Sequence, residues 1–181
     1  QARHAVPATD ALERLRAALS AGPSEEVAPQ LTLLVRSEEQ LGAALQWHAT
    51  QPRNAFAMLC IDFRDSVRWS AAVGEIRSSG LRAALATPRT TEPGEEEFLR
   101  EMAVSAPDTV LVRNLSALEF FRQESFEMVA DAALNAANGL SLDLLLKQGP
   151  ARVTPAAELV GREPLFPGCD PAKIEIVLYR H

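Results

Sequence analysis

The sequence predicts an α/β fold in which parallel strands alternate with helices. Short apolar runs rich in β-branched residues recur along the chain without period-2 alternation, as expected of strands that are buried on both faces of a parallel sheet. Each run ends in polar residues, and a segment with helical spacing of its apolar residues follows. This strand-then-helix order is the repeating unit of α/β architecture.

The segment 108–121, DTVLVRNLSALEFF, shows this unit most clearly. Its apolar part, TVLV, predicts a buried strand, which Arg113 and Asn114 end. Ser116 is followed three residues later by Glu119, a spacing that predicts a capping box and a helix that begins here. Ser37 and Gln40 repeat the same spacing after an earlier apolar run.

The composition favours one globular domain, because 181 residues that are 47% hydrophobic can bury one core. A net charge of −6 and the lack of a basic cluster argue against autonomous nucleic-acid binding. Two cysteines without metal-ligand spacing predict neither a disulfide framework nor a thiolate cluster, so we expect a cytoplasmic protein. No apolar stretch approaches the roughly 18 to 20 residues that a membrane span needs.

The chain divides into residues 1–30, an N-terminal helix and linker, and residues 31–181, an α/β barrel domain. The helix is predicted at 8–21, where four apolar residues share one face. Because the chain begins at Gln1 and ends within an apolar run, we expect it to be a fragment of a larger protein.

Seven strands are predicted, with helices between most of them, and they lie at about 31–36, 55–62, 81–87, 109–113, 127–131, 152–154 and 173–180. Short strand-to-helix connections require right-handed crossovers, and seven in succession favour a TIM-barrel-like (β/α) barrel that is incomplete in this fragment. A doubly wound sheet is the alternative. The missing eighth unit would leave an open edge, which predicts weak self-association. No glycine-rich nucleotide fingerprint follows any strand.

Polar residues at the ends of the apolar runs are the candidate ligand-binding residues. In a barrel the carboxyl ends of the strands converge on one face, so residues distant in sequence could line one pocket. The candidates are Arg36, Asp62, Arg89, Arg113, Asn114, Asp131, Asn135 and Asn138, with Thr154 and His181 in equivalent positions. The three arginines predict an anionic ligand. The alternative is that the Asn and Asp residues cap helices and the arginines pair with neighbouring carboxylates.

Other reactive residues give no catalytic assignment. His4 and His48 lack catalytic context, and Cys60 lies in an apolar run as a core residue. Cys169 has no nearby basic residue in the sequence that would activate it. The residues therefore name no reaction, no catalytic residue and no metal site.

Several strand ends match a known family in order: LLVRSEEQLGAAL, CIDF, ALATPR followed by TEPGEEEFLR, VLVRNLSALEFFR, ADAALNAAN and ARVTPAAEL. Over about residues 31–181 the chain resembles the later half of the U32 peptidase family of collagenase-like proteases. That family also includes enzymes of ribosomal RNA hydroxylation and of oxygen-independent ubiquinone synthesis. The resemblance implies a TIM-barrel-like fold with a functional face formed by the strand-end residues named above.

The chain also departs from the family. It reads ADAALN from Ala130 where relatives commonly read GDFSLN, and it lacks the cysteine-bearing signature of the leading domain, which in some members carries an iron–sulfur cluster. We therefore expect no cofactor within these residues, and a cluster or metal only elsewhere in the parent protein. The expected partners are other domains of the parent chain and an anionic, peptide or RNA substrate.

Two hypotheses of function follow. In the first, the chain is the substrate-facing barrel of a U32-like enzyme, a hydrolase of the protease type or an enzyme that modifies RNA or quinones. In the second, it is a noncatalytic companion barrel that pairs with a catalytic domain of the parent chain.

Overall fold

A computed structural model describes residues 28–51, 56–91, 94, 96–159 and 169–178. Its centre is a six-stranded sheet that curls into a half-barrel. The strands are β1 (Thr32–Val35), β2 (Met58–Ile61), β3 (Arg82–Ala86), β4 (Thr109–Val112), β5 (Glu127–Ala130) and β6 (Arg152–Val153). They lie in sequence order and each neighbouring pair is parallel. The predicted incomplete barrel is confirmed, since a doubly wound sheet would reverse its strand order.

A helix follows each of the first five strands and packs on the same face of the sheet. The helices are α1 (Glu38–Ala49), α2 (Trp69–Ser78), α3 (Glu96–Val104), α4 (Leu115–Gln123) and α5 (Gly139–Lys147). No helix in the described part of the chain is long and apolar enough to cross a membrane. The helix predicted at 8–21 lies outside the described residues.

Both faces of the strands are buried, which explains the missing alternation in the sequence. On the helix side, alternate strand residues join one core with the buried rings of Trp69 and Phe121. On the concave side, Met58, Cys60 and small residues of β3 form a second, smaller cluster. The small side chains suit the concave side because a curled sheet leaves less room inside it than outside.

The two predicted capping boxes have different outcomes. Ser37 caps α1 as predicted, with its hydroxyl accepting from the Gln40 N–H, but the Gln40 side chain accepts from the Arg36 N–H rather than from Ser37. The prediction for α4 is wrong, because its N-cap is Asn114, whose Oδ1 accepts from Ala117 N at 2.8 Å. Ser116 therefore lies within the first turn of the helix.

The seventh predicted strand is not formed in described residues 173–178. Ile174 makes a single parallel bridge to Val153, and Glu175 N donates to Val153 O at 3.1 Å. β6 has only two residues, so it offers little edge for further pairing. Residues 179–181 lie outside the described part. β1 pairs with β2 alone among the described strands, and the expected self-association stays a prediction.

Candidate functional site

Four of the predicted residues meet on the concave side of the half-barrel. The last residues of β1, β2, β4 and β5 all belong to the core on the helix side. Successive strand residues point to opposite faces, so the next residue in each case points to the concave side. These residues, Arg36, Asp62, Arg113 and Asp131, are called the carboxyl-end cluster below.

The best-defined contact of this cluster is the ion pair between Arg113 and Asp62. It is bidentate, with Nη1 to Oδ1 at 2.7 Å and Nη2 to Oδ2 at 3.1 Å. The Arg113 side chain is only 7% exposed. Thr87 fixes its backbone, because Arg113 N donates to Thr87 Oγ1 at 3.0 Å. The guanidinium is therefore held in one orientation across two strands.

One donor of this guanidinium has no partner among the described residues. Arg113 Nε is buried without a hydrogen bond to any of them, and Asp131 Oδ2 lies 3.8 Å from it, beyond hydrogen-bond distance. Burial lowers the pKa of Arg113, but its hydrogen bond to Asp62 and the charges of Asp62 and Asp131 outweigh this and raise the pKa above the usual value. The group therefore stays charged, with one N–H free for an acceptor.

The cluster carries no net charge. Arg36 adds a second cation, whose Nε lies 3.5 Å from Asp62 Oδ2, and the two carboxylates balance the two arginines. A balanced cluster does not require an anion to offset it, unlike the three arginines expected from the sequence.

Asn114 and Asn138 have structural partners that explain their positions. Asn114 caps α4, and its amide donates to Pro88 O at 2.9 Å. Asn138 caps α5 in a reciprocal capping box with Ser141, and it is exposed. Both side chains therefore act as helix caps, as the alternative interpretation of the loop residues predicted.

Arg89 and Asn135 lie apart from the cluster. Both are exposed, and among the described residues no hydrogen bond or ion pair joins either of them to it. Asn135 ends a short 3-10 turn with a left-handed backbone, φ 57°, which asparagine tolerates well. The structure thus brings together two of the three predicted arginines, and His181 lies outside the described residues.

Glu175, which is not among the residues predicted from the sequence, also reaches this face. Burial raises the pKa of its carboxyl and the charge of Asp131 adds to this, while Arg152, with Nε 3.5 Å away, acts in the opposite direction. The signal was present in the sequence: Ile174 and Ile176 alternate with Glu175, so a helix-side Ile174 places Glu175 on the concave side.

A second polar group occupies the other end of the concave face. Glu127 is its centre: its carboxylate accepts from Arg82 Nη2 at 3.0 Å, from Thr109 Oγ1 at 3.3 Å and from Arg152 Nη2 at 3.3 Å. Arg82 Nη2 also donates to Thr109 Oγ1 at 3.0 Å. These four residues are called the amino-end network.

The cysteines do not provide a nucleophile here. Burial raises the pKa of the Cys60 thiol far above its ordinary value, and burial also raises that of Cys169, so neither is activated as a thiolate. Within the described ranges, no group of three or more His, Cys, Asp or Glu side chains could hold a metal ion. The chemistry offered by the described part of this face is that of carboxyl groups and a guanidinium.

Two open grooves lie on the helix side rather than at the cluster. The larger, about 470 Å³, runs between α3 and α4 and includes Leu99 and Phe120. The smaller, about 330 Å³, is bordered by Val67 and Val104. Neither is lined by a predicted site residue.

No family model matches the chain, and no curated protein matches it. Solved structures do match. The U32 peptidase Mk0906 is 13% identical with a TM-score of 0.56, and the match covers 77% of this chain and 64% of that one. A putative deoxyribose-phosphate aldolase from Coccidioides immitis is 10% identical with a TM-score of 0.52, covering 84% of this chain and 72% of that one.

These similarities establish the fold. The chain has a TIM-barrel-like architecture and spans about two thirds of the length of the U32 peptidase structure, 64%. The resemblance to the U32 family is thereby supported at the level of fold.

Proposed function

We propose that this chain is a U32-peptidase-like barrel domain whose concave face binds a peptide segment at the carboxyl-end cluster. The observation that carries the proposal is the Arg113 Nε–H, a buried donor without a partner at the carboxyl ends of the strands. Buried polar groups are almost always hydrogen-bonded, so an orphan on this face of a barrel is best explained by an acceptor that a ligand supplies.

The chemistry of the cluster suits a peptide unit. A peptide bond offers one carbonyl acceptor and one N–H donor. Arg113 Nε supplies the donor, and the carboxylate of Asp131, 3.8 Å from it, supplies an acceptor on the same side. A phosphate or RNA backbone fits less well, because the cluster has no uncompensated positive charge and the chain carries −6 overall.

The test is isothermal titration of the full chain with a gelatin-derived pool of tri- to hexapeptides and, separately, with inorganic phosphate. Arg113→Lys keeps the charge but loses the fixed guanidinium fork, so we expect peptide affinity to fall about tenfold or more. Arg82→Lys in the amino-end network is the matched control and should leave the affinity within about twofold. Equal losses in both variants, or tighter binding of phosphate than of peptides, would refute the proposal.

The second candidate is a noncatalytic companion barrel that binds peptide for a catalytic domain of the parent chain. The unactivated Cys60 and Cys169 favour it, because neither described cysteine offers a thiolate at the site. Mass spectrometry of the peptide pool after incubation separates the two. A companion barrel binds the peptides and leaves them intact, whereas an enzyme shortens them.

A further inference from the structure

We propose that Glu175 is a catalytic residue of this site, which works with Asp131 as the acid and base for hydrolysis of the bound peptide bond. The inference rests on the proposed function and deepens it, because it names a residue, outside the predicted strand-end set, that takes part in the reaction.

Strand register places the two carboxyl groups in one row. Val112 pairs with Ala130, Ala130 with Val153, and Val153 with Ile174, and all four belong to the core on the helix side. The next residue of each element therefore points to the concave side. These neighbours are, in order across the sheet, Arg113, Asp131, Thr154 and Glu175.

One strand position lies between the two carboxyl residues of this row. It is that of the buried Thr154, which corresponds to about 10 Å between the backbones of Asp131 and Glu175 at normal strand spacing. Both side chains point to the concave side, and the charge of Asp131 contributes to the raised pKa of Glu175, so the two carboxyl groups interact across this position.

The surroundings of the two carboxyl groups differ in the way an acid–base pair requires. Glu175 faces Arg152, Asp131 and the buried thiol of Cys60, and burial is the main reason that the pKa of Glu175 is raised. Asp131 instead lies beside the Arg113 cation, with 3.8 Å between Oδ2 and Nε. Two carboxyl groups in unequal environments are suited to opposite proton-transfer roles.

Arg113, whose unpartnered donor carries the proposed function, lies in the same row. Its side chain is 7% exposed and its unpartnered Nε–H borders Asp131. A donor held in this way can bind the carbonyl oxygen of a peptide and stabilise the negative charge that develops there during attack by water.

The reaction balances with these groups and one water molecule. The Asp131 carboxylate takes a proton from water as the water oxygen bonds to the carbonyl carbon, and the carbonyl electron pair moves to the oxygen beside Arg113. When this intermediate collapses, the C–N bond breaks and Glu175 gives its proton to the leaving nitrogen. The products are a carboxylic acid and an amine, and the proton on Asp131 returns to Glu175 through solvent.

The test compares the full chain with Glu175→Gln and with Glu119→Gln, a matched change of a glutamate that pairs with Arg122 on α4, away from the concave face. Internally quenched peptides report turnover between pH 4 and 9, and titration reports binding of the same peptides. We expect Glu175→Gln to lower turnover about 100-fold or more while affinity stays within threefold, and to remove the alkaline limb of the pH profile. Glu119→Gln should retain turnover within about twofold.

The outcomes separate this inference from the function on which it rests. Peptide binding without turnover in the wild type, or turnover in Glu175→Gln within threefold of the wild type, would overturn the role of Glu175 alone. Absence of peptide binding to the wild type would overturn both. Near-ultraviolet circular dichroism verifies the fold of the variant, and Glu175→Asp, which keeps a carboxyl one methylene shorter, should recover part of the turnover.

Discussion

Both ends of the concave face pair arginines with carboxylates. They differ in whether the side-chain donors have hydrogen-bond partners. In the amino-end network, the Glu127 carboxylate receives three side-chain donors, and Arg82 Nη2 donates to two acceptors. In the carboxyl-end cluster, Arg113 is more deeply buried than either arginine of the network, yet its Nε has no partner.

In barrel folds, functional sites lie at the carboxyl ends of the strands, and the amino ends contribute to stability. The two ends of this face differ in the same way. A network whose members satisfy one another adds to folding and has little left for a ligand. A buried ion pair with one orphan donor costs folding free energy until something binds it. The difference between the two ends therefore supports the proposal that the carboxyl end binds a ligand, while the amino end contributes to stability.

The largest expected effect is that of Asp62→Asn, which removes the bidentate carboxylate from the buried Arg113. Breaking a buried pair on one side leaves an uncompensated charge, so we expect the free energy of unfolding to fall by about 3 kcal/mol. Urea denaturation measures it. Arg36→Gln, which changes the half-exposed partner of the same carboxylate, should cost no more than about 1 kcal/mol. Similar costs for the two would show that Arg113 is not held as a buried pair.

Glu127→Gln should have a smaller effect on stability and none on binding. Its two arginine partners, Arg82 and Arg152, are partly exposed and can rehydrate, so we expect a loss of about 1 kcal/mol. If peptide affinity, measured by titration, falls as far in Glu127→Gln as it does in Arg113→Lys, the proposed difference between the two ends is wrong.

Asn114→Ala and Asn138→Ala should each lower stability by about 1 kcal/mol through the loss of a helix cap. Thermal unfolding tests this, with Ser116→Ala as a control that should have little effect because Ser116 is not the cap of α4. If either asparagine variant loses peptide affinity while its melting temperature is unchanged, that asparagine belongs to the binding site after all.

The smallest expected effect is the pH dependence of Glu175→Gln. The pKa of Glu175 is raised in the folded state. Below about pH 4 glutamate is also protonated in the unfolded state, so burial of the carboxyl does not lower the free energy of unfolding there. Between the unfolded and the folded pKa, the unfolded chain is ionised while the native carboxyl is still protonated. The wild type therefore loses stability relative to the glutamine variant as pH rises over this range, and the loss is complete above the folded pKa. Urea denaturation from pH 4 to 8 should show a gap that grows with pH, and a constant gap would contradict the buried carboxyl.

The sequence was sufficient for six of the seven predicted strands and for the cluster, because both depend on local pattern. Strands that are buried on both faces lack alternation in their sequence. The residue that follows a strand ending on the helix side must face the concave side, as Arg36, Asp62 and Arg113 do. The prediction placed Arg89 with these residues, but Pro88 already lies two residues beyond the end of β3. Outside the strand, the alternation of side chains no longer fixes where Arg89 points.

The rest depended on contacts between distant residues. The N-cap of α4 is Asn114 rather than the predicted Ser116. Pro88 O, in a neighbouring loop, accepts a hydrogen bond from the Asn114 amide and holds it in place. The charge balance of the cluster and the orphan donor of Arg113 depend on a contact across β3, between Asp62 after β2 and Arg113 after β4. Sequence spacing does not contain that distance.

The most direct test of the central claim follows the arginine Nε–H resonances of the nitrogen-15-labelled full chain by nuclear magnetic resonance as the peptide pool is added. Arg113→Lys identifies the Arg113 signal, and Arg82 serves as the internal reference. We predict that the Arg113 Nε–H signal moves to the position of a hydrogen-bonded donor as peptide saturates, while that of Arg82 stays in place. An Arg113 signal that is already hydrogen-bonded without peptide, or that does not move at saturation, would contradict the claim that this orphan donor marks the binding site.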